Sequence, residues 1–203
     1  MRHSVMKMTK LSALILGSVI AANAVAADGQ IRLTGEVVSK TCEVAINGAP
    51  TSALLSLDAV AVQDLKNPLK SARGTSYNAS RNMRTIDITL QNCSLPTGKT
   101  KVAVSFDSSG YADAATSTYR NMLLDSVNSM DLATKGVQIG FTKPAGTELL
   151  MDMNALSDPD YKDPATSAQT FSFETHYVQT AANVADVTAG DMETVATFSL
   201  VYM

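Results

Sequence analysis

Few side chains in this sequence have the types and spacing that chemistry requires. Cys42 and Cys93 are the only two cysteines, and they do not form a Cys-x-x-Cys pair of the redox-active or zinc-binding kind. His176 is the one histidine outside the first 26 residues, and a single histidine predicts neither a catalytic triad nor a metal centre. Parity along its strand instead predicts a position on a solvated face.

Four carboxylates make the one acidic cluster of the chain, at Asp152, Asp158, Asp160 and Asp163. Their spacing does not match a calcium-binding loop, so a flexible acidic loop is expected. The sequence also lacks a Gly-x-Ser-x-Gly nucleophile turn, a phosphate-binding loop and a His-Glu-x-x-His motif. We therefore expect no enzyme activity, no catalytic residues, no cofactor and no metal site.

The first 26 residues have the features of a secretory signal peptide. Arg2, Lys7 and Lys10 precede an apolar run over residues 11–20, and small residues at 22–26 provide a cleavage site. The alternative, an uncleaved membrane anchor, needs about 20 apolar residues, roughly twice the length of this run.

Cleavage changes the charge of the chain and places both cysteines in an oxidising compartment. It removes three of the 16 basic residues and no acidic one, so the mature net charge is −6, which disfavours nucleic acid and anionic lipid as partners. About 177 residues remain, enough for one domain with a substantial core. An exported pair of cysteines predicts a Cys42–Cys93 disulfide, worth roughly 4 kcal/mol; two free buried thiols are the alternative.

The mature chain consists of short segments in which apolar and polar residues alternate. The clearest segments span residues 84–90, 101–106, 137–141, 170–178 and 195–202. Residues 66–82 and 152–166 are polar and contain Pro or Gly, so we expect loops there. Short alternating strands with almost no helical periodicity predict an all-β fold, an antiparallel β-sandwich.

One alternating strand, residues 29–37, lies between the signal and the first cysteine. Its small or apolar positions are Gly29, Ile31, Leu33, Gly35 and Val37, so it has one face to bury. A free N-terminal strand can pair with another molecule. The alternative is that it forms the first strand of its own closed sandwich.

Three landmarks along the chain now coincide. Residues 35–44 join a strand that begins with glycine to Cys42, residues 86–93 place Cys93 at the end of a strand, and residues 197–202 place Tyr202 next to last. Together with the signal peptide, this combination resembles the pilin subunits of bacterial chaperone–usher fimbriae, close to the type 1 fimbrial shaft family. The likeness covers essentially the whole mature chain.

The resemblance implies an immunoglobulin-like sandwich over residues 39–203 that is incomplete because it lacks its last strand. Residues 27–38 would be a donor-strand extension, with Gly29, Ile31, Leu33 and Gly35 pointing into the groove of a neighbouring subunit. The edge of the groove, held first by a chaperone, would carry Phe198, Leu200 and Tyr202.

The implied partners are identical or related pilin subunits in a homopolymer, a periplasmic chaperone and an outer-membrane usher, with no nucleic acid and no small-molecule substrate. The expected location is the extracellular fimbrium, reached through the periplasm. There the protein would be a structural subunit that polymerises by donor-strand exchange and supports adhesion.

Two alternatives stay open. The long loops leave room for a minor adaptor subunit of the same fimbrium. A secreted monomeric β-sandwich that binds a carbohydrate or host ligand is the other, although the sequence contains no Trp for stacking on sugars.

Overall fold

A computed structural model of the protein describes the backbone of residues 30–34 and residues 42–50, 52–108, 110–126, 130, 132–151, 156–165 and 167–203. The predicted signal peptide, Gly29 and Gly35 lie outside these residues. The described part contains fourteen β-strands, short 3-10 helices and no α-helix. No helix in it is long and apolar enough to cross a membrane.

The strands are β1 (Gln30–Thr34), β2 (Glu43–Ile46), β3 (Ala49–Pro50), β4 (Ser52–Ser56), β5 (Asn67–Lys70), β6 (Ser76–Ala79), β7 (Thr85–Gln91), β8 (Val102–Phe106), β9 (Ala112–Asp113), β10 (Thr118–Tyr119), β11 (Val137–Thr142), β12 (Gln169–Gln179), β13 (Glu193–Ala196) and β14 (Phe198–Tyr202). The 3-10 helices include Val62–Asp64, Met122–Asp125, Asp158–Asp160 and Val184–Asp186.

The first layer is a large sheet in the order β3-β2-β7-β12-β11-β10-β9. Its central strand, β12, pairs antiparallel with β7 along its first half and with β11 along its second. Alternation on β7 points Ile86, Ile88 and Leu90 into the core, where all three are fully buried. Their period of two was the strongest strand signal in the sequence.

The second layer is built on the last strands of the chain. β14 pairs antiparallel with β8, and β13, separated from β14 by Thr197 alone, pairs with β1, which in turn pairs with β4. β13 and β14 therefore form one kinked strand, and the layer runs β8, β13–β14, β1, β4.

The distribution of strands between the layers is that of an immunoglobulin-like sandwich. In that fold the first, second, fifth and fourth strands form one sheet, and the third and sixth lie in the other. Here β2, β7, β12 and β11 hold the first, second, fifth and fourth positions, and β8 and β13–β14 hold the third and sixth. The predicted all-β, immunoglobulin-like sandwich is confirmed.

Aromatic side chains hold the two layers together. The ring of Phe106 on β8 stacks on Phe141 of β11 at 4.3 Å between centroids and meets Phe173 of β12 edge-on at 4.9 Å. At one end of the sandwich, Cys42 before β2 is bonded to Cys93 after β7. The predicted disulfide is confirmed.

Residues 66–82 are not the loop that the sequence predicts. They contain the hairpin β5–β6, which pairs with β12 through Ala79 and Val178 and packs Leu69 against the outer face of the large sheet. Pro68 is tolerated because β5 is an edge strand that pairs with β6 alone among the described strands.

This hairpin also corrects the prediction for His176. The second half of β12 is covered on both faces, by the core on one side and by the hairpin on the other, so His176 is buried rather than solvated. Parity places it correctly on the face opposite Tyr177, but no local pattern indicates that this face is covered.

Candidate subunit-binding groove

The kinked strand β13–β14 has a position beside it that an immunoglobulin-like fold fills with its seventh strand, antiparallel to the sixth. Here β1 occupies that position along β13, but it runs parallel: Gln30 lies opposite Glu193 and Leu33 opposite Ala196. The seventh position is therefore held by the N-terminal strand, in the direction opposite to that of the ordinary fold.

The other side of β1 pairs with β4. Gln30 lies opposite Ser56 and Thr34 opposite Ser52, in antiparallel register. β13 and β4 are thus the two walls of a groove, and residues 30–34 of the segment predicted as a donor, including Ile31 and Leu33, lie in the groove of their own chain. Donation of this strand to a neighbouring subunit stays a prediction.

The apolar side chains that border the groove come from both walls. Ala53 and Leu55 of β4, and Leu200 and Tyr202 of β14, are partly buried against the main core. Phe198 lies deeper and is fully part of that core. The three residues predicted at the groove edge, Phe198, Leu200 and Tyr202, therefore share the inward face of the strand, and their contact with a chaperone stays a prediction.

Within the described residues, β1 pairs along β13 and β14 pairs with β8. A groove lined by half-buried apolar side chains beside a sheet edge is a template for another strand. The arrangement can therefore bind an extended peptide by main-chain pairing, with alternate side chains entering the groove.

A buried asparagine that the sequence analysis missed fixes the start of β13. The Asn121 amide donates to the carbonyls of Thr134 and Asp191, at 3.2 and 2.8 Å, and its oxygen accepts from the N–H groups of Leu123 and Glu193, both at 3.1 Å. All the usual bonding positions of the carboxamide are used. A single Asn in an irregular segment carries no sequence signal for this role.

The kink between β13 and β14 is also fixed by hydrogen bonds. The Thr197 carbonyl accepts from the N–H of Asp107 at 2.9 Å. The hydroxyl of Tyr119, itself fully buried, donates to the Asp107 carbonyl at 2.7 Å. These hydrogen bonds hold the groove wall from the core side and involve no residue of β1.

His176 is buried and hydrogen-bonded on both ring nitrogens. Its Nδ1 lies 3.1 Å from the Ser80 carbonyl, which can only accept, so Nδ1 carries the proton and Nε2 accepts from the Thr142 hydroxyl at 3.0 Å. Burial lowers the pKa of His176, opposed by the Ser80 carbonyl and the Glu174 carboxylate. The ring is held neutral by its surroundings and cross-links β12 to two neighbouring segments.

The described members of the acidic cluster bind the protein itself. Asp158 pairs with Lys101 at 3.0 Å and Asp160 with Lys143 at 2.6 Å. Burial acts to raise the pKa of Asp160, but the bonds from Lys143 and Ser157 outweigh it and lower that pKa. Asp152 lies outside the described residues, within which no three metal-ligating side chains come together.

The aromatic side chains of residues 111–119 and 171–177, the two aromatic-rich segments of the chain, are mostly in the core. Tyr119, Phe171, Phe173 and Tyr177 are all buried. Buried rings cannot stack on a saccharide, so these positions give no support to a carbohydrate-binding site.

Comparison with known proteins identifies the family of the chain. A family model described as fimbrial protein matches residues 31–203. Long polar fimbria protein A of Salmonella typhimurium is 34% identical over 144 residues, covering 71% of this chain and 69% of that protein. The uncharacterized fimbrial-like protein YbgD of Escherichia coli is 28% identical over 206 residues, covering 95% and 96%.

Among solved structures, the P pilus rod subunit PapA aligns with a TM-score of 0.49 and 18% identity, covering 80% of this chain and 99% of that one. The family match and the Salmonella relative decide the assignment, since both extend over most of the sequence. The chain belongs to the fimbrial protein family and is a structural subunit of an extracellular fimbrium, where it assembles with other subunits of its kind.

Proposed function

We propose that this subunit polymerises by donor-strand exchange. The N-terminal extension, residues 27–38, withdraws β1 from the groove of its own chain and enters the groove of the next subunit, antiparallel to β13–β14. Gly29, Ile31, Leu33 and Gly35 then face the neighbour's core. Each copy donates one strand and accepts another, a head-to-tail contact that does not close and so forms a filament.

One observation carries the proposal: the seventh-strand position of an immunoglobulin-like sandwich is occupied by β1 in parallel orientation. Ordinary sandwiches fill it with an antiparallel strand. A strand supplied by another copy can adopt that direction, because it is not tied to Cys42 of the acceptor.

Pairing direction favours the exchange. Within the chain, β1 pairs with β13 in parallel. A donor from another copy can pair antiparallel along residues 193–202, and antiparallel pairing is slightly the more stable of the two per residue. Each ladder hydrogen bond contributes about 1 kcal/mol, and burial of Ile31 and Leu33 in the neighbour's groove contributes roughly 1.5–3 kcal/mol each.

The same geometry gives roles to a chaperone and an usher. An exposed groove edge invites any strand, so a periplasmic chaperone that pairs with β14 at Leu200 and Tyr202 protects the subunit until an outer-membrane usher brings the next donor. Residues 1–26 are then a signal peptide for export into the periplasm. Permanence of the fibre comes from slow unfolding rather than from the summed contacts, and the fibre in turn supports adhesion.

The test uses a subunit lacking residues 27–37, produced with and without a synthetic peptide of that sequence. We expect this variant to bind the peptide and to cap fibres of the full chain, but not to polymerise alone. SDS gels without boiling read the result, because exchanged fibres run as ladders of subunit multiples that collapse on heating. Fibres of normal length from the deletion variant would end the proposal.

A peptide with Ile31→Ser and Leu33→Ser is the matched control. It keeps the backbone that pairs with the groove and removes the apolar side chains, so we expect binding at least a hundredfold weaker, from the loss of roughly 3 kcal/mol or more. The full chain also separates shaft from adaptor: a shaft subunit forms long ladders by itself, whereas an adaptor adds only one copy.

A further inference from the structure

The sandwich has two distinct ends. The cysteine end is defined by Cys42, Cys93 and Met203; β2 begins there, and β7 and β14 finish there. Tyr202 lies opposite Val102, and Lys162 connects Val102 to the start of β12. At the opposite end, named here the entry end, β13 begins at Glu193 and β12 finishes at Gln179 opposite Val137.

Strand direction decides which ends meet in a fibre. A donor that runs antiparallel to β13–β14 has its N-terminal part beside Tyr202 and its C-terminal part beside Glu193. The chain of the donor therefore continues toward its own domain from the entry end of the acceptor. The domain of the donor resumes at its own Cys42. If residues 27–37 lie in the groove, the tether to Cys42 can span at most about 17 Å. The cysteine end of the donor must therefore lie against the entry end of the acceptor.

The entry end carries exposed apolar side chains. Among the described residues, large hydrophobic side chains are exposed at five positions: Leu54, Met130, Leu132, Val184 and Met203. Three of the five lie in segments that bond to the entry end. The carbonyl of Leu132 accepts from the N–H of Asp191 at 2.7 Å. Val184 belongs to the turn after β12, and the N–H of Thr188, which follows this turn, donates to the carbonyl of Lys135 at 3.2 Å.

Met130 follows the 3-10 helix Met122–Asp125, whose capping residue Asn121 holds the N–H of Glu193. A fourth exposed side chain, Met203, lies at the cysteine end, on the surface that the tether brings to the acceptor. Exposed apolar side chains at one end of a domain are candidates for a contact surface. Both surfaces that the tether brings together thus expose apolar groups.

We propose that Met130, Leu132 and Val184 form a docking surface for the cysteine end of the donating subunit, including its Met203. This rests on the strand exchange proposed above and adds a second contact to it. Consecutive subunits are held by the inserted strand and also by their facing ends, so a second copy of this chain is the occupant.

Cross-linking of full-length fibres tests the contact. The variant Leu132→Cys with Met203→Cys is polymerised, treated with a short bismaleimide and boiled in SDS. We expect a ladder that survives boiling. The control, Leu54→Cys with Met203→Cys, replaces a leucine of the same exposure, 64% against 66%, on the outer face of β4. It should collapse to monomer, and equal ladders from the two variants, or none from the first, would overturn the docking surface.

A second pair of variants avoids new thiols. Leu132→Gln should speed the loss of subunits from fibres about tenfold, corresponding to ~1.4 kcal/mol, whereas Leu54→Gln should leave it unchanged. Both variants should bind the free 27–37 peptide as the unmodified subunit does. Equal dissociation rates refute the docking surface alone, while failure of the unmodified subunit to accept the peptide or form ladders refutes strand exchange and the docking surface with it.

Discussion

Strand β12 and the kinked strand β13–β14 lie in facing layers of one sandwich but are completed in different ways. β12 has partners on both edges, β7 and then β6 on one and β11 on the other, and from Thr175 to Gln179 it is buried on both faces. β13–β14 has β8 along one half and β1 along the other, and its side chains from Leu200 onward are only half buried.

The difference between these two strands separates the part of the domain that sets its stability from the part that accepts a strand. The large sheet obtains every partner from residues between Cys42 and Gln179, so its stability belongs to the single chain. The groove beside β13–β14 is filled by a segment that precedes the disulfide and is joined to the domain at one end. Changes in the large sheet should therefore alter unfolding, and changes in the groove should alter which strand is accepted.

The largest expected effect comes from the disulfide, at the boundary between these regions. Replacing Cys42 and Cys93 together by Ser should lower the free energy of unfolding by about 4 kcal/mol, since a loop with a sequence separation of 51 residues is no longer closed. Urea unfolding of the peptide-filled subunit measures this. Unmodified protein in reductant should lose the same amount; a loss under 1 kcal/mol would contradict the prediction.

Asn121→Asp should cost about 3 kcal/mol and affect both regions. The substitution removes the two N–H donors that face the carbonyls of Thr134 and Asp191 and places a buried carboxylate against them. Because Asn121 positions the start of β13, peptide affinity should fall together with stability. Asn183→Asp, at an exposed site, is the control and should change stability by less than about 0.5 kcal/mol.

Leu200→Ala should separate the regions most clearly. Leu200 lines the groove and is half buried, so its truncation should weaken peptide binding about tenfold, or ~1.4 kcal/mol, with little change in unfolding of the empty domain. Leu69→Ala, in the outer hairpin, should show the reverse pattern, with about 2–3 kcal/mol of stability lost and affinity unchanged. Parallel losses in both variants would mean that the two regions are not independent.

The sequence predicted the parts of this molecule whose environment is set by local alternation. β7 could be predicted because Ile86, Ile88 and Leu90 alternate with polar residues and face the core on one side only. The hairpin around Leu69 was not, because an edge strand with Pro68 and polar neighbours has the composition of a loop. The apolar pattern of residues 29–37 indicated a strand that buries one face, but no local pattern encodes which strand it pairs with or in which direction, so its parallel place beside β13 emerged only from the structure.

The smallest effect expected is a pH dependence confined to the large sheet. Burial holds the folded-state pKa of His176 below its ordinary value of 6.5. Above pH 6.5 the ring is neutral in both states and adds no pH dependence. As the pH falls below 6.5 the unfolded chain binds a proton that the folded one does not, so stability falls, by less than ~1 kcal/mol at pH 6. The difference between the unfolding profiles of the unmodified protein and His176→Gln isolates this group from the carboxylates. Peptide affinity should stay constant over the same range, because His176 lies under the outer hairpin and away from the groove; a matching fall in affinity would show that the two regions are coupled through β12.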